Sequence, residues 1–285
     1  MCHDCSAPVS SRRSFARFLA AGAGLTVLAA CSPEAPKAAA PSSTAPSASS
    51  SPVSPSPVAA TAAPITTAEA ATVPPAPSPS AALPRQFSLT DPASPWLIVN
   101  KYRPLVPADY APADLVSPAV AMTASGEASL LNSTTAAAAE AMFAAAARDG
   151  VAMVLASGYR SYATQVATYN SYVAARGQAD ADTASARPGY SEHQTGWAFD
   201  IADGTGACGF QPCFADQPAA VWAKANGHRF GFVVRYPWMF HPITGYYYEP
   251  WHLRYIGVEA ATDMASKGIF TVEEYFGVEA APGYL

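Results

Sequence analysis

Residues 191–201 read Ser-Glu-His-Gln-Thr-Gly-Trp-Ala-Phe-Asp-Ile, a polar loop that leads into an alternating segment. After Gly196, three large apolar residues at alternate positions fall on one side of an extended chain, and Asp200 falls on the other side. The stretch therefore predicts a strand over residues 197–201 with one buried face, preceded by a loop that carries His193.

Two side chains of this stretch are of types that bind zinc. The imidazole of His193 and the carboxylate of Asp200 are both common zinc ligands. Ala198 and Ala202, on the same strand face as Asp200, are small and leave room for a metal ion. This segment alone also fits a loop histidine and a surface aspartate without a metal, and it does not decide between the two interpretations.

The second informative segment is Glu-Pro-Trp-His-Leu-Arg at residues 249–254. Glu249 and His252 are three positions apart and would face opposite ways on a regular strand. Pro250 argues against a continuous strand, and a turn or bulge at this proline would aim both side chains into one cleft. His252 is then a third zinc ligand, and Glu249 is free to act as a general base. An aromatic-rich strand pair with a packed histidine is the alternative.

A third segment, Ser-Gly-Tyr-Arg-Ser at residues 157–161, is followed by Gln165. Arg160 comes after a glycine, at a predicted junction between a strand and a helix, from which its side chain can reach into a cleft. Its planar guanidinium suits a substrate carboxylate. A structural salt bridge is the alternative role for this arginine.

The rest of the domain shows helical patterns first and strand patterns later. The predicted helices cover residues 135–148, 161–175 and 218–226, and the predicted strands cover residues 97–99, 151–156, 197–201, 230–234, 246–248 and 253–256. Ser133 or Thr134 should cap the first helix and Ser161 the second, and Gly150 and Gly177 should end them. This order of elements indicates an α+β fold.

Residues 1–31 have two features of a bacterial export signal. Ser-Arg-Arg-Ser-Phe at residues 11–15 resembles a twin-arginine signal, and the apolar run 18–30 is shorter than the about 20 residues that span a bilayer. The run ends in Leu-Ala-Ala-Cys, which resembles a lipobox and predicts lipidation of Cys31. The alternative is an ordinary signal peptide with an incidental Cys31. Both place the protein outside the cytoplasm, and lipidation would anchor it to the outer face of the cell membrane.

Residues 32–85 are almost entirely Ala, Pro, Ser and Thr, with no aromatic residue and no glycine. Such a composition cannot bury enough apolar surface to fold. We expect a disordered tether that reaches on the order of 100 Å or more, at ~3.1 Å per residue. Residues 86–285 then form one domain, expected to be monomeric. The formal net charge of −5 indicates no broad basic face, so no nucleic-acid partner is expected.

Cys208 and Cys213 are the two cysteines of the predicted domain. They lie in a loop with glycine and proline, and the chain is expected to reach an oxidising compartment, so a small disulfide loop is expected. A metal site is less favoured, because two cysteines alone do not make a tetrahedral cage. Two unpaired thiols are the other alternative.

Taken together, the three segments resemble the D-alanyl-D-alanine carboxypeptidase family of zinc metallopeptidases. The shared pattern is Ser-Gly-Tyr-Arg-Ser…Gln, Ser-x-His-x-x-Gly-x-Ala-x-Asp and Glu-x-Trp-His-x-Arg, in this order over roughly residues 100–257. The family includes the vancomycin-resistance D,D-carboxypeptidases and shares a fold with lysostaphin-type endopeptidases and hedgehog amino-terminal domains. The resemblance implies a small antiparallel sheet with helices packed on one side and a zinc site in a cleft over the sheet.

The resemblance also implies a role for each motif residue. The implied Zn2+ ligands are His193, Asp200 and His252, the implied catalytic residues are Glu249 and Arg160, and the implied substrate-binding residues are Gln165, Ser191 and Trp251. The predicted function is zinc-dependent removal of the terminal D-Ala from peptidoglycan stem peptides, the expected partners. One alternative is an L,D-carboxypeptidase that acts on tetrapeptide stems with the same metal chemistry. Another is a non-catalytic zinc-bearing module that binds the cell wall, against which the intact Glu249 argues.

Overall fold

The computed structural model describes residues 86–285, so the predicted export signal, the lipobox with Cys31 and the tether lie outside the described residues. The strands are β1 Leu115–Val116, β2 Leu131–Asn132, β3 Met153–Ser157, β4 Ala198–Asp203, β5 Phe232–Tyr236 and β6 Glu249–Tyr255. The helices are α1 Ser133–Arg148, α2 Tyr162–Arg176, α3 Gln178–Ala184, α4 Pro218–Asn226, α5 His241–Thr244, α6 Val258–Ser266 and α7 Val272–Phe276. In this part of the chain, no helix is long and apolar enough to cross a membrane.

Four strands form an antiparallel sheet in the order β3-β4-β6-β5. The short strands β1 and β2 form a separate antiparallel pair. Helices α1, α2 and α3 all precede β4, whereas β4, β5 and β6 fall in the second half of the domain. The predicted α+β fold with a small antiparallel sheet is therefore confirmed.

The main core lies between one face of the sheet and two helices. Leu155 on β3, Phe199 on β4 and Leu253 on β6 are fully buried and pack with apolar residues of α1 and α4. Phe199 and Leu253 are direct cross-strand partners, and so are Asp200 and His252 one position further along. Because side chains alternate between faces, the polar pair points away from α1 and α4. This face of the sheet is left free for a polar site.

Two strands predicted within the described residues do not join the sheet. Residues 97–99 are buried, but Ile98 N donates to Leu89 O at 3.0 Å, which ties this segment to a neighbouring loop. Residues 246–248 form the connection into β6. Both predictions were wrong because a short apolar run indicates burial and does not by itself indicate pairing in a sheet.

Pro250 was expected to interrupt the strand, but it lies inside β6. The register of β6 against β5 shifts at this point, since Val234 pairs with Leu253 but Tyr236 pairs with Glu249. A step of two residues on β5 thus matches a step of four on β6, which is an irregularity of the bulge type. A bulge tolerates proline because a residue outside the regular ladder needs no N–H there. The continuous strand contradicts the predicted break, whereas the alternative of a bulge is confirmed.

Helices α2 and α4 match their predictions, and α2 begins after the cap Ser161 and ends at Gly177. The start of α1 differs. Its cap is Asn132, whose Oδ1 accepts a hydrogen bond from Thr135 N at 2.8 Å, and the two residues predicted as caps lie inside the helix. Of these, Ser133 donates its hydroxyl to a carboxylate outside the helix at 2.6 Å. Asparagine and serine are equally good caps, so local sequence did not distinguish them.

The Cys208–Cys213 disulfide is confirmed, with 5.6 Å between the two Cα atoms. It joins a residue of the loop after β4 to Cys213 within the 3-10 helix Pro212–Asp216. The Phe214 side chain that follows the bridge is fully buried in the main core. The loop is thereby fixed at one end by the core.

We expect that the double variant Cys208→Ser/Cys213→Ser folds but is less stable. The loop is shorter than the 15 residues for which a bridge contributes about 3 kcal/mol, so the free energy of unfolding should fall by less than ~3 kcal/mol. Urea unfolding followed by circular dichroism measures this difference. Reduction of the wild type by a thiol reagent should give the same shift. No shift in either experiment, or complete unfolding of the variant, would contradict this account.

Candidate active site

Three side chains from two of the motifs meet on the free face of the sheet. His193, Asp200 and His252 are all buried, and one potential ligand atom from each lies within 4.8 Å of the others. His193 Nε2 is 3.4 Å from Asp200 Oδ2, and His252 Nδ1 is 3.1 Å from Asp200 Oδ1. The three residues predicted as metal ligands therefore form one cluster that could hold a metal ion.

Strand pairing and a glycine turn bring the cluster together. Asp200 and His252 are directly opposite each other on β4 and β6. His193 lies on the 3-10 helix Glu192–Thr195, which ends at Gly196 with a φ of 68°. A Cβ at Gly196 would approach Asn132 N to 2.7 Å, so this turn requires glycine both for its φ and for its close contact.

In both histidines, the ring nitrogen that points away from the cluster has an oxygen partner that orients the imidazole. Nδ1 of His193 is 2.7 Å from Gly158 O and donates to this carbonyl, which leaves Nε2 to face Asp200. In His252, Nε2 is 3.3 Å from Glu192 Oε2, which leaves Nδ1 on the cluster side. Metal-binding histidines usually have such an acceptor on the second nitrogen, because it fixes the tautomer and the ring orientation. The cluster thus fits a bound metal in both geometry and donor type.

Glu192 contacts the cluster through His252, although its sequence pattern predicted no role for it. Its carboxylate is fully buried and is 2.7 Å from Arg235 Nε and 3.2 Å from Arg254 Nη1. The guanidinium of Arg235 also makes two hydrogen bonds, at 2.7 and 2.9 Å, to the buried carboxylate of Glu273 on α7. Burial opposes charge on Glu192, but Arg235 and Arg254 outweigh it and hold its pKa well below the usual range. Glu192 is thus an ionised partner for His252.

The pKa values of the two histidines are shifted in opposite directions. Burial lowers the pKa of His193 and favours its neutral form, the form that binds metals. Burial also disfavours charge on His252, but hydrogen bonds to Asp200 and Glu192 outweigh it and raise the pKa to about 9. Metal binding through His252 Nδ1 would therefore release a proton.

Glu249 lies beside the cluster without belonging to it. Its Oε2 is 3.8 Å from His252 Nδ1, too far for a hydrogen bond, and its side chain is 17% exposed. Burial raises the pKa of this carboxyl to about 8. A carboxylate whose pKa lies near neutrality is well matched to taking and returning a proton. The position of Glu249 suits a general base better than a fourth ligand.

A cavity of about 650 Å³ contains the cluster and Glu249 in its lining. Three other residues with predicted roles, Arg160, Ser191 and Trp251, also line it. Aromatic rings form much of the remaining wall, namely Tyr172, Phe210, Tyr236, Tyr246, Tyr247 and Tyr248. The cavity therefore combines a polar floor with aromatic sides, which suits a peptide end with a charged terminus.

Gln165 is fully buried and is not part of the cavity lining. Its Oε1 accepts a hydrogen bond from Arg160 Nη1 at 3.0 Å, and its Nε2 donates to Ala186 O at 2.6 Å. Its predicted role in placing the substrate would therefore be exerted through the orientation of Arg160. The other two domain histidines, His228 and His241, lie outside the cluster, and His241 is exposed.

The part of the chain that carries these residues is similar to known proteins. The family described as D-alanyl-D-alanine carboxypeptidase (VanY) matches residues 128–258. YodJ of Bacillus subtilis strain 168, which is named as a carboxypeptidase, is 37% identical over 191 residues, covering 66% of this chain and 69% of YodJ.

Two solved structures extend the comparison. The LdcB LD-carboxypeptidase matches with a TM-score of 0.62 and 37% identity, over 66% of this chain and 88% of LdcB. The second is the D,D-pentapeptidase VanY from a VanB-type resistance cassette, solved as a glutamate-to-alanine mutant in complex with Zn(II). It matches with a TM-score of 0.53 and 33% identity, over 63% of this chain and 97% of that VanY chain. The family match, the identity to YodJ and the fold agree, and this chain belongs to the VanY family of D-alanyl-D-alanine carboxypeptidases.

Proposed function

We propose that this protein is a zinc-dependent carboxypeptidase that removes the terminal D-Ala from peptidoglycan stem peptides. The observation that carries the proposal is the placement of Glu249, a carboxylate beside a two-histidine, one-aspartate cluster in the same cavity. Three protein ligands, one open position and a nearby base are what a catalytic zinc site requires. A module that only binds the cell wall would have no need for this carboxylate.

His193 Nε2, an oxygen of Asp200 and His252 Nδ1 would hold the zinc ion. When bound, zinc supplies a Lewis acid that polarises the scissile carbonyl and increases the acidity of a water molecule. Glu249 removes a proton from the attacking water while the water oxygen bonds to the carbonyl carbon, and it then transfers this proton to the amine of the departing D-Ala as the C–N bond breaks. The buried Glu192 keeps His252 oriented throughout.

Arg160 and the cavity walls handle the substrate in this proposal. The guanidinium of Arg160, held by Gln165, pairs with the terminal carboxylate or with charge developing on the carbonyl oxygen. Ser191 and Trp251 line the same cavity and place the peptide beside Glu249. The stem peptide is therefore the partner that fits the site.

The D,D- and L,D-reactions use the same metal chemistry, and the motifs do not separate them. The similarity to LdcB, named as an LD-carboxypeptidase, supports the L,D-alternative on tetrapeptide stems. The family description supports D,D-hydrolysis of pentapeptides, which we propose as the main reaction. Mass spectrometry of products from the two peptides, offered separately, distinguishes the alternatives.

The decisive experiment combines metal analysis with this product analysis. We expect about one zinc ion per purified molecule, loss of D-Ala from the pentapeptide and loss of activity on chelation, with recovery when zinc is returned. Zinc without any hydrolysis of either peptide would support the wall-binding module instead.

We also propose that the protein acts as a monomer outside the cytoplasm, anchored to the membrane only through lipid on Cys31. Metabolic labelling with a fatty acid, compared between wild type and Cys31→Ala, tests the anchor.

Arg160→Ala should keep its zinc and lose substrate handling. A hydrogen bond to a charged group contributes about 1.5–3 kcal/mol, so kcat/KM should fall by about 10- to 100-fold. Arg148→Ala is the matched control, because this exposed arginine lies in the last turn of α1, and α1 packs on the opposite face of the sheet. It should leave kcat/KM unchanged. Equal losses in both variants, or loss of zinc from Arg160→Ala, would contradict the assigned role.

A further inference from the structure

The loop closed by the Cys208–Cys213 disulfide reaches the wall of the catalytic cavity. Three residues inside it, Phe210, Gln211 and Pro212, line the same cavity as the metal cluster. The Phe210 ring packs edge-to-face on Trp251, with 5.9 Å between ring centroids and a 74° angle between planes. This disulfide loop, residues 208–213, therefore contributes an aromatic side chain to the substrate site.

The backbone of the disulfide loop is held in an unusual conformation. Cys208 and Phe210 have φ values of 56° and 55°, in the left-handed region that bulky L-residues rarely adopt. Such conformations persist only where the surroundings enforce them, and they occur preferentially at functional sites. Here the enforcing contacts are the disulfide itself, a 3.0 Å hydrogen bond from Gln211 N to Cys208 O and the burial of Phe214 just beyond. These contacts thus constrain the backbone from which the Phe210 ring projects.

Phe210 lies at the mouth of the cavity. The residue is 51% exposed, whereas His193, Asp200 and His252 are at most 6% exposed. In a carboxypeptidase the carboxyl-terminal end of the bound substrate must reach the buried metal cluster. The rest of the bound peptide then extends outward through the mouth of the cavity. A half-exposed ring at the mouth is therefore positioned against the part of the peptide on the amino side of the scissile bond.

We propose that Phe210 is a specificity-determining residue that binds the stem peptide upstream of the scissile bond, and that the Cys208–Cys213 disulfide holds its ring for this contact. This inference rests on the proposed peptidase function. It adds an upstream subsite of aromatic character, formed by Phe210 and Trp251, to the metal and carboxylate contacts described above. The recognised groups are apolar portions of the peptide, such as alanine methyl groups and the methylene chain of its diamino acid.

The test compares the zinc-loaded wild type with Phe210→Gly on two peptides. The long peptide is the stem peptide that the wild type hydrolyses. The short peptide is made by removing residues from its amino end, as far as the wild type still hydrolyses it. Glycine accepts the positive φ without strain, so the variant removes the side chain without forcing a different backbone conformation. We expect kcat/KM for the long peptide to fall about tenfold, mainly through KM, because one aromatic contact is lost. For the short peptide, kcat/KM should stay within about twofold, since that contact is not made in the wild type either.

Matched variants separate the subsite from a general loss of structure. Phe210→Tyr retains the ring and should keep wild-type values. Phe270→Ala removes an equally exposed phenylalanine outside the cavity and should change neither peptide. The Cys208→Ser/Cys213→Ser variant should reproduce the selective loss on the long peptide, and all variants should retain about one zinc ion.

The outcomes are distinguishable. If Phe210→Gly matches the wild type on the long peptide, or loses equally on both peptides, the subsite is refuted while the peptidase function stands. If the cysteine variant keeps wild-type selectivity, the role of the disulfide is refuted. A wild type that hydrolyses no stem peptide at all would refute the proposed function and this inference with it.

Discussion

Glu249→Ala should keep near-stoichiometric zinc and hydrolyse stem peptides at least about 100-fold more slowly, because a positioned carboxylate that transfers protons typically contributes about 10²–10⁴-fold. The structural reason is that His193, Asp200 and His252 already supply three ligands, a set to which Glu249 does not belong. The variant is assayed by zinc analysis and by single-turnover hydrolysis of the pentapeptide.

Two further variants make this result specific. Glu249→Gln preserves the shape of the side chain but replaces the carboxylate with a neutral amide that cannot act as a base, so it should be as slow as Glu249→Ala. Glu259→Ala removes an exposed glutamate on α6 and should have wild-type activity. Loss of zinc from Glu249→Ala would make Glu249 a ligand. Retention of both zinc and full activity would assign the base to another residue and refute the mechanism.

Local patterns were sufficient to predict the elements that carry the motifs. The alternation after Gly196 predicted a strand with Asp200 on the polar face, and β4 has this orientation. Ser161 and Gly177 predicted both ends of α2 because capping is a property of a few neighbouring residues. The convergence of His193, Asp200 and His252 followed from the resemblance, and the pairing of β4 with β6 provides its structural cause.

Features that depend on distant residues could not be predicted in this way. The sequence does not show that Glu192 would meet Arg235, 43 positions later, and His252, 60 positions later, in one buried network. The position of Glu192 next to a candidate ligand was the only available signal. The same limit applies to Phe210, since nothing local indicates that a disulfide loop folds over Trp251. The continuity of β6 through Pro250 was also not predicted, because the bulge that accommodates the proline is a property of the β5–β6 pair.

Glu192→Gln should weaken zinc binding and destabilise the fold, by two separable effects. Removing a carboxylate that orients a metal-binding histidine typically costs 10–100-fold in metal affinity, and Glu192 Oε2 is the acceptor for His252 Nε2 at 3.3 Å. Removing one partner of a buried ion pair costs about 3–5 kcal/mol of stability, because the remaining charge is left uncompensated. Here Arg254 would lose its carboxylate partner, whereas Arg235 would keep its pair with Glu273. Zinc affinity is measured by competition with a chelator, and stability by urea unfolding of the metal-free protein.

Glu273→Gln is the matched control, because it breaks the same buried network without contacting a predicted ligand. Glu273 pairs with Arg235 at 2.7 Å, so its loss should also destabilise the metal-free fold. It should leave zinc affinity close to that of the wild type, since the Glu192–His252 contact is intact. Glu192→Asp provides a third comparison: it retains the negative charge for Arg235 but withdraws the oxygen from His252, and should lose affinity with a smaller loss of stability. If all three variants bind zinc as tightly as the wild type, the network serves folding alone and Glu192 does not position the metal ligand.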